Sequence, residues 1–94
     1  MTMMMIPNKT PDLIWRSLDD GTVIINPEQG DVRVLNEVGA RVWELVDGQR
    51  SADQIAQEIT QDFEVSLEDA ERDLQKYLDT MIEQGLLRWQ ESND

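Results

Sequence analysis

The stretch that decides the fold is residues 30–48, GDVRVLNEVGARVWELVDG. Its first part, Asp31–Leu35, alternates polar and apolar residues, as a half-buried β-strand does. Asn36 follows at once and is a typical helix N-cap residue, and apolar residues at helical spacing then lead to Gly48. The sequence therefore predicts a strand that passes without a spare residue into a helix, which we expect to end at Gly48.

Two further strands are predicted upstream of this stretch. Residues 13–18 and 22–26 are separated by Asp19-Asp20-Gly21, and residues 27–30 form a second turn with Pro at its front and Gly at its end. Three consecutive strands with short turns predict an antiparallel meander, which is marginal alone and needs helices on one face. Residues 1–11 show no such pattern, and we expect a flexible N-terminal segment there.

Two more helices are predicted downstream, and each has a recognisable start. Ser51 with Gln54, and Ser66 with Asp69, have the spacing of an N-cap and the third helical residue. The third helix is the longest and is expected to stop at Gly85. Residues 86–89 indicate a short terminal strand or extended arm, and residues 90–94 a polar tail. Three strands followed by three helices predict one α+β domain of the winged-helix type over residues 12–89.

The composition excludes several classes of function. The chain has no cysteine and no histidine, so it cannot build a disulfide, a thiolate metal site or a Ser-His-Asp constellation. A net charge of −12 repels the phosphates of DNA and RNA unless a basic patch is present. No apolar run is long enough to span a membrane, and no secretory signal is present. We therefore expect a cytoplasmic protein that binds no cofactor, metal, nucleic acid or membrane.

The ordered motifs resemble the family of pyrroloquinoline quinone (PQQ) synthesis protein D. Its members are small peptide chaperones, also called RiPP recognition elements, that act in natural product biosynthesis. The resemblance covers about residues 12–89 and implies the same order of strands and helices. The residues that carry it are Leu35-Asn36, Gly39-Ala40, Val42-Trp43, Leu45 and the run to Gly48, residues 51–56, Asp73-Leu74, Tyr77-Leu78 and Gly85-Leu86-Leu87.

The resemblance implies a non-catalytic function. In this family, the leader segment of a ribosomally made precursor peptide docks between the third strand and the third helix. The protein presents the precursor to a modifying enzyme, often a radical S-adenosylmethionine protein, a cyclodehydratase or a leader peptidase. The physical basis is that an edge strand has unpaired backbone groups, which an extended peptide can satisfy by adding a strand. The same edge could pair with that of a second copy, so a homodimer is an alternative assembly.

Carried onto this chain, the docking mode gives two walls of a candidate peptide site. One wall is the strand Asp31–Leu35, and the other is one flank of the third helix. We expect Arg33 to pair with an acidic residue of the leader, Asp69 and Asp73 to pair with basic ones, and Lys76 to lie at the rim. The candidate peptide-binding residues are Asp31, Val32, Arg33, Val34, Leu35, Asp69, Ala70, Asp73, Lys76, Tyr77 and Thr80.

Other interpretations stay open at this point. Val32 and Val34 could face the core, Asp69 could serve only the helix N-terminus, and Tyr77 could be a core aromatic. Among classes of protein, the main alternative is a winged-helix transcription regulator or a protein-interaction module. A winged-helix protein that binds DNA needs a basic third helix. The third helix of this chain has two cationic residues, Arg72 and Lys76, and six carboxylates: Glu68, Asp69, Glu71, Asp73, Asp79 and Glu83. An enzyme subunit is the least supported class.

Overall fold

The computed structural model of the protein describes residues 4–92, and within them strands and helices follow in the predicted α+β order. The three-stranded antiparallel sheet and the three helices confirm the predicted fold class. The elements are β1 (Met4–Lys9), β2 (Ile14–Leu18), β3 (Gly21–Asn26), β4 (Asp31–Leu35), α1 (Glu37–Leu45), α2 (Ala52–Phe63), α3 (Leu67–Glu83) and β5 (Leu87–Ser92).

The main sheet has the strand order β2-β3-β4, so β3 is central and β4 lies at an edge. Ile24 on β3 is fully buried and is opposite Trp15 on one side and Arg33 on the other. Because side chains alternate along a strand, these residues share the face that covers the helices. The opposite face is open to solvent and, apart from Arg16, largely apolar. Its exposed apolar members are Ile14, Leu18, Ile25, Val32 and Val34.

The helix starts lie where the caps predict them. The Asn36 Oδ1 atom accepts a hydrogen bond of 2.8 Å from the Gly39 N–H, and Ser51 forms a complete capping box with Gln54. Ser66 accepts from the Asp69 N–H at the start of α3. Each side chain satisfies a backbone donor that has no partner within its helix, which fixes the first turn.

The prediction that the first helix ends at Gly48 is wrong, because α1 ends at Leu45. Beyond it, the Asp47 carboxylate accepts hydrogen bonds from the backbone N–H groups of Arg50 and Gln49. These bonds hold the pKa of Asp47 below its usual value and form a turn that competes with another helical turn. Gly48, with a φ of 79°, lies inside that turn.

The prediction of a flexible segment over residues 1–11 is wrong for Met4–Lys9. Met4–Lys9 forms β1, which pairs antiparallel with β5, and Pro7 is opposite Trp89. The pairing also makes Gln90 to Ser92 part of a strand, where the sequence predicts a polar tail. The two strands are about 80 residues apart in the chain, so no local pattern could reveal that they pair. Residues 1–3 and 93–94 lie outside the described part.

Lys9 joins this second sheet to the core. Its Nζ atom donates to the Val46 carbonyl at 2.5 Å and lies 5.0 Å from the ring centroid of Trp43 and 5.4 Å from that of Trp15. The two indole rings meet edge to face with centroids 5.4 Å apart, a favoured aromatic geometry. Burial lowers the pKa of Lys9, while Asp47 and Glu44 oppose that shift. Trp43 is 1% exposed and lies in the core.

The β1–β5 pairing gives a testable consequence for stability. Deleting residues 1–9 removes the partner strand of β5 and the buried side chains of Ile6 and Pro7. We expect the free energy of unfolding to fall by about 3 kcal/mol or more, from lost apolar burial and unpaired backbone groups. Urea unfolding followed by tryptophan fluorescence measures this loss. Deletion of residues 1–3 is the control, and equal midpoints for the two truncated proteins would contradict the pairing.

Candidate functional site

The open edge of the main sheet is the outer side of β4. Within residues 4–92, β4 pairs only with β3, and the pairing of β1 with β5 forms a separate sheet. The domain's own backbone therefore does not occupy this edge in the part of the chain that the structure describes. An unpaired strand edge is a template for another extended chain.

The sheet register shows which backbone groups of β4 face outward. The two-residue turn between Leu18 and Gly21 directs the backbone groups of Gly21 toward β2, so those of the next residue, Thr22, face its partner Leu35 on β4. The Leu35 carbonyl oxygen lies so close to Gly21 that a Cβ atom added there would collide with it. This position of the oxygen, beside β3, agrees with the register. Leu35 therefore bonds to β3.

Because consecutive residues of a strand alternate, the same register applies along the whole of β4. Arg33, two residues before Leu35, also turns its backbone N–H and C=O toward β3, as does Asp31. Val32 and Val34 turn their N–H and C=O groups toward the open edge. Their side chains are 59% and 72% exposed, so the interpretation that these valines face the core is wrong.

A groove runs between β4 and α3. Its first part has a volume of about 370 Å³ and is lined by Val32, Arg33, Val34, Leu35, Asn36, Tyr77, Thr80, Met81 and Gln84. It continues past Tyr77 and Thr80 into a second part of about 470 Å³, lined also by Val38, Asp73 and Lys76. The open edge and the groove lie side by side, so a peptide that pairs with β4 would also contact α3.

Tyr77 forms the middle of the helix wall and connects it to the strand. Its ring is half-buried against the core, and its hydroxyl donates a hydrogen bond of 3.2 Å to Asn36 Oδ1. The same oxygen accepts from Gly39, and a Cβ at Gly39 would lie 3.2 Å from the Tyr77 ring. Tyr77 is therefore both a core-packed aromatic and a groove residue, so the two interpretations of it do not exclude each other.

A small apolar recess of about 60 Å³ adjoins the second part of the groove, between α1, α2 and α3. It shares Val38, Asp73 and Tyr77 with the groove and is otherwise apolar. Ala70 lies in its wall and is 1% exposed, so this predicted residue belongs to the recess and not to the open groove.

Some of the charged residues predicted for the site line the groove, and others do not. Asp69 pairs with Arg72 across one helical turn at 2.6 Å and lines neither part of the groove. Its carboxylate lies in the first turn of α3, where the helix dipole favours a negative charge, in line with the alternative interpretation of this residue. Asp73 and Lys76 line the groove. Arg33 lies in the strand wall, and its closest carboxylate is Asp31, with the Nη2 and Oδ2 atoms 4.0 Å apart.

The structure thus brings most of the predicted residues together and adds some that the sequence analysis missed. Asn36, Val38, Met81 and Gln84 also line the groove. Met81 and Gln84 follow Tyr77 at intervals of about one and two helical turns, so helical spacing from Tyr77 could have identified them. In the sequence, Asn36 indicates only a helix cap, and Val38 is one apolar residue of the first helix.

Two kinds of feature are absent from the described residues. Residues 4–92 contain no cluster of three or more metal-ligating side chains that could hold an ion. None of the helices described is both long and apolar enough to cross a membrane.

Comparison with known proteins gives one family and several similar structures. Residues 21–87 match the sequence model of coenzyme PQQ synthesis protein D. The structure of TbiB1 in complex with the TbiA(beta) leader peptide is 25% identical, with a TM-score of 0.79, over 86% of this chain and 94% of that one. Lasso peptide synthetase B1 complexed with the leader peptide is 26% identical, with a TM-score of 0.78, over 87% and 96%.

A third similar structure shares the fold at lower identity. It is the PqqD truncation of Methylobacterium extorquens PqqCD, described as a stand-alone RiPP recognition element, with 24% identity and a TM-score of 0.73 over 88% of each chain. No curated protein matches the sequence of this chain.

The shared role of Asn36 in α1 and in the groove can be tested by substitution. Asn36→Ala removes the N-cap acceptor and the partner of the Tyr77 hydroxyl, so we expect a loss of about 1–2 kcal/mol in the free energy of unfolding. Asn36→Asp keeps an acceptor oxygen and is expected to stay within ~0.5 kcal/mol of the wild type. Urea unfolding of the three proteins measures the difference, and equal losses in both variants would contradict the capping role.

Proposed function

The chain belongs to the family of coenzyme PQQ synthesis protein D, and we propose that it is a non-catalytic peptide chaperone. It binds the leader segment of a ribosomally synthesised precursor peptide and presents that precursor to a modifying enzyme. The observation that carries the proposal is the unpaired outer edge of β4 beside the groove along α3. The two similar structures that hold leader peptides have the same fold and cover nearly the whole chain.

Strand addition explains how such a site binds. Val32 and Val34 each offer one N–H and one C=O to a guest strand, and each hydrogen bond contributes about 0.5–1.5 kcal/mol net. These backbone contacts are independent of the leader's side chains. The groove beside them is lined by positively charged, negatively charged and apolar side chains. These side chains give the site its preference for particular leader sequences, which backbone hydrogen bonds cannot provide.

The protein's contribution to the chemistry is then positional. Holding a precursor by its leader makes the encounter of its core with an enzyme effectively intramolecular, once the chaperone also binds that enzyme. The chain has neither His nor Cys, so the partner enzyme must supply the reactive groups. A radical S-adenosylmethionine protein is one such partner, and the product is PQQ or another modified peptide.

The proposal extends to location and assembly. Ribosomal synthesis of the precursor places the chaperone in the cytoplasm with its substrate. Pairing of two β4 edges would give a homodimer that competes with leader binding, because both use the same backbone groups. The alternative of a transcription regulator gains no support, since α3 turns its apolar face to the core and its outer surface is rich in carboxylates.

Removing one edge-facing donor tests strand addition. Val34→Pro deletes an outward N–H without removing a bond to β3, so the fold is expected to persist. We expect the affinity for the leader of a precursor encoded beside this gene to fall at least ~10-fold, because one hydrogen bond is lost and the proline ring obstructs the guest. Isothermal titration calorimetry measures the affinity, and circular dichroism checks the fold.

Val34→Ala is the matched control, because it shortens the side chain and keeps the N–H. It is expected to bind within ~3-fold of the wild type. Equal weakening by the two substitutions would show that the side chain matters and the backbone edge does not. Unchanged binding by a folded Val34→Pro protein would exclude β4 as the docking strand.

A further inference from the structure

Arg33 has an unsatisfied hydrogen-bond donor within the groove. Among the side chains that the structure describes, the buried nitrogen and oxygen atoms without a partner are Arg33 Nε and Trp43 Nε1. Trp43 lies in the core, but Arg33 belongs to the strand wall of the groove. The Nη2 atom of Arg33 lies 4.0 Å from the Oδ2 atom of Asp31, which is too long for a hydrogen bond. The Nε atom itself is closed off from solvent, but the Arg33 side chain is 40% exposed, so its guanidinium group is open to an acceptor that enters the groove.

The geometry of strand addition places one guest residue directly opposite Arg33. A guest strand that bonds to the outward groups of Val32 and Val34 has one residue between those bonds, opposite Arg33. Side chains of opposed residues lie on the same face of a sheet, with Cβ atoms about 4.5–5.5 Å apart. Arg33 is on the face that covers the helices, so this guest side chain also points into the groove.

We infer that this position selects a carboxylate, so that the leader has Asp or Glu opposite Arg33. A guanidinium and a carboxylate form paired, charge-assisted hydrogen bonds, and the planar fork of arginine fits the two oxygens. The inference rests on the proposed function and adds a substrate class to it. With a net charge of −12, the protein repels acidic peptides in general, so a carboxylate is favoured only where a cation meets it locally.

The residues on either side of this carboxylate should be apolar. They point to the opposite face of the sheet, beside the exposed side chains of Val32 and Val34. That face continues inward through Val23 and Ile25, which are opposite Val34 and Val32 on β3. Apolar guest side chains would cover these valines, as cross-strand neighbours do within a sheet. The inferred recognition pattern is therefore apolar, acidic, apolar, in either strand direction.

A phage-displayed library of short random peptides tests this pattern directly, and it does not require the sequence of the natural leader. Selection on the wild-type protein should enrich Asp or Glu between two apolar residues. Selection on Arg33→Glu should enrich Lys or Arg at that position. Arg88→Glu, which makes the same change in charge at an exposed position of β5 in the separate two-stranded sheet, is the matched control and should select the wild-type pattern.

Affinities of one enriched synthetic peptide make the test quantitative. Replacing its acidic residue by the neutral amide should weaken binding to the wild type by about ten-fold, the effect of losing a charged hydrogen bond. The same replacement should change binding to Arg33→Leu less than ~2-fold. An equal loss in both proteins would overturn the pairing with Arg33.

The possible outcomes separate this inference from the proposed function. Peptides that lose affinity with Val34→Pro but show no acidic preference would overturn the role of Arg33 and leave strand addition intact. An acidic preference that persists unchanged with Arg33→Glu would also overturn it. If no enriched peptide is sensitive to Val34→Pro, the groove is not a peptide site and both proposals fail.

Discussion

The candidate site depends on the direct passage from β4 into α1 at Asn36. No loop residue separates the strand from the helix, so the direction of the strand edge is fixed relative to the helices. The side-chain oxygen of Asn36 accepts from the first turn of α1 and from Tyr77 of α3. One amide group thus connects the three elements that surround the groove. A flexible loop at this point would let the strand edge and the helix wall move independently, and a guest would have to order them.

Much of the fold could be predicted from the sequence because its signals are local. The caps at Asn36, Ser51 and Ser66 and the alternation of β4 depend on neighbouring residues alone, and the structure has them as predicted. The pairing of β1 with β5 could not be predicted in this way, since it joins the two ends of the chain and includes a proline. The end of α1 was wrong because the Asp47 turn was not recognised.

The site was predicted less completely than the fold. The resemblance to a family indicated the strand wall, and helical geometry indicated the side of α3 on which Asp73, Tyr77 and Thr80 lie. The predicted side of the helix was right, but its extent along the axis was not. The groove runs along α3 from Asp73 to Gln84, whereas Asp69 and Ala70 lie in the first turn. The unsatisfied Nε of Arg33 is a tertiary property, so only the structure reveals it.

The most direct measurement of the central claim is amide hydrogen exchange at β4, with and without a bound leader peptide. In the free protein, the amides of Arg33 and Leu35 bond to β3 and should exchange slowly, whereas those of Val32 and Val34 face solvent and should exchange fast. The account predicts that the leader slows Val32 and Val34 and changes Arg33 and Leu35 little. Val32 and Val34 amides that still exchange fast in a saturated complex would contradict strand addition at this edge.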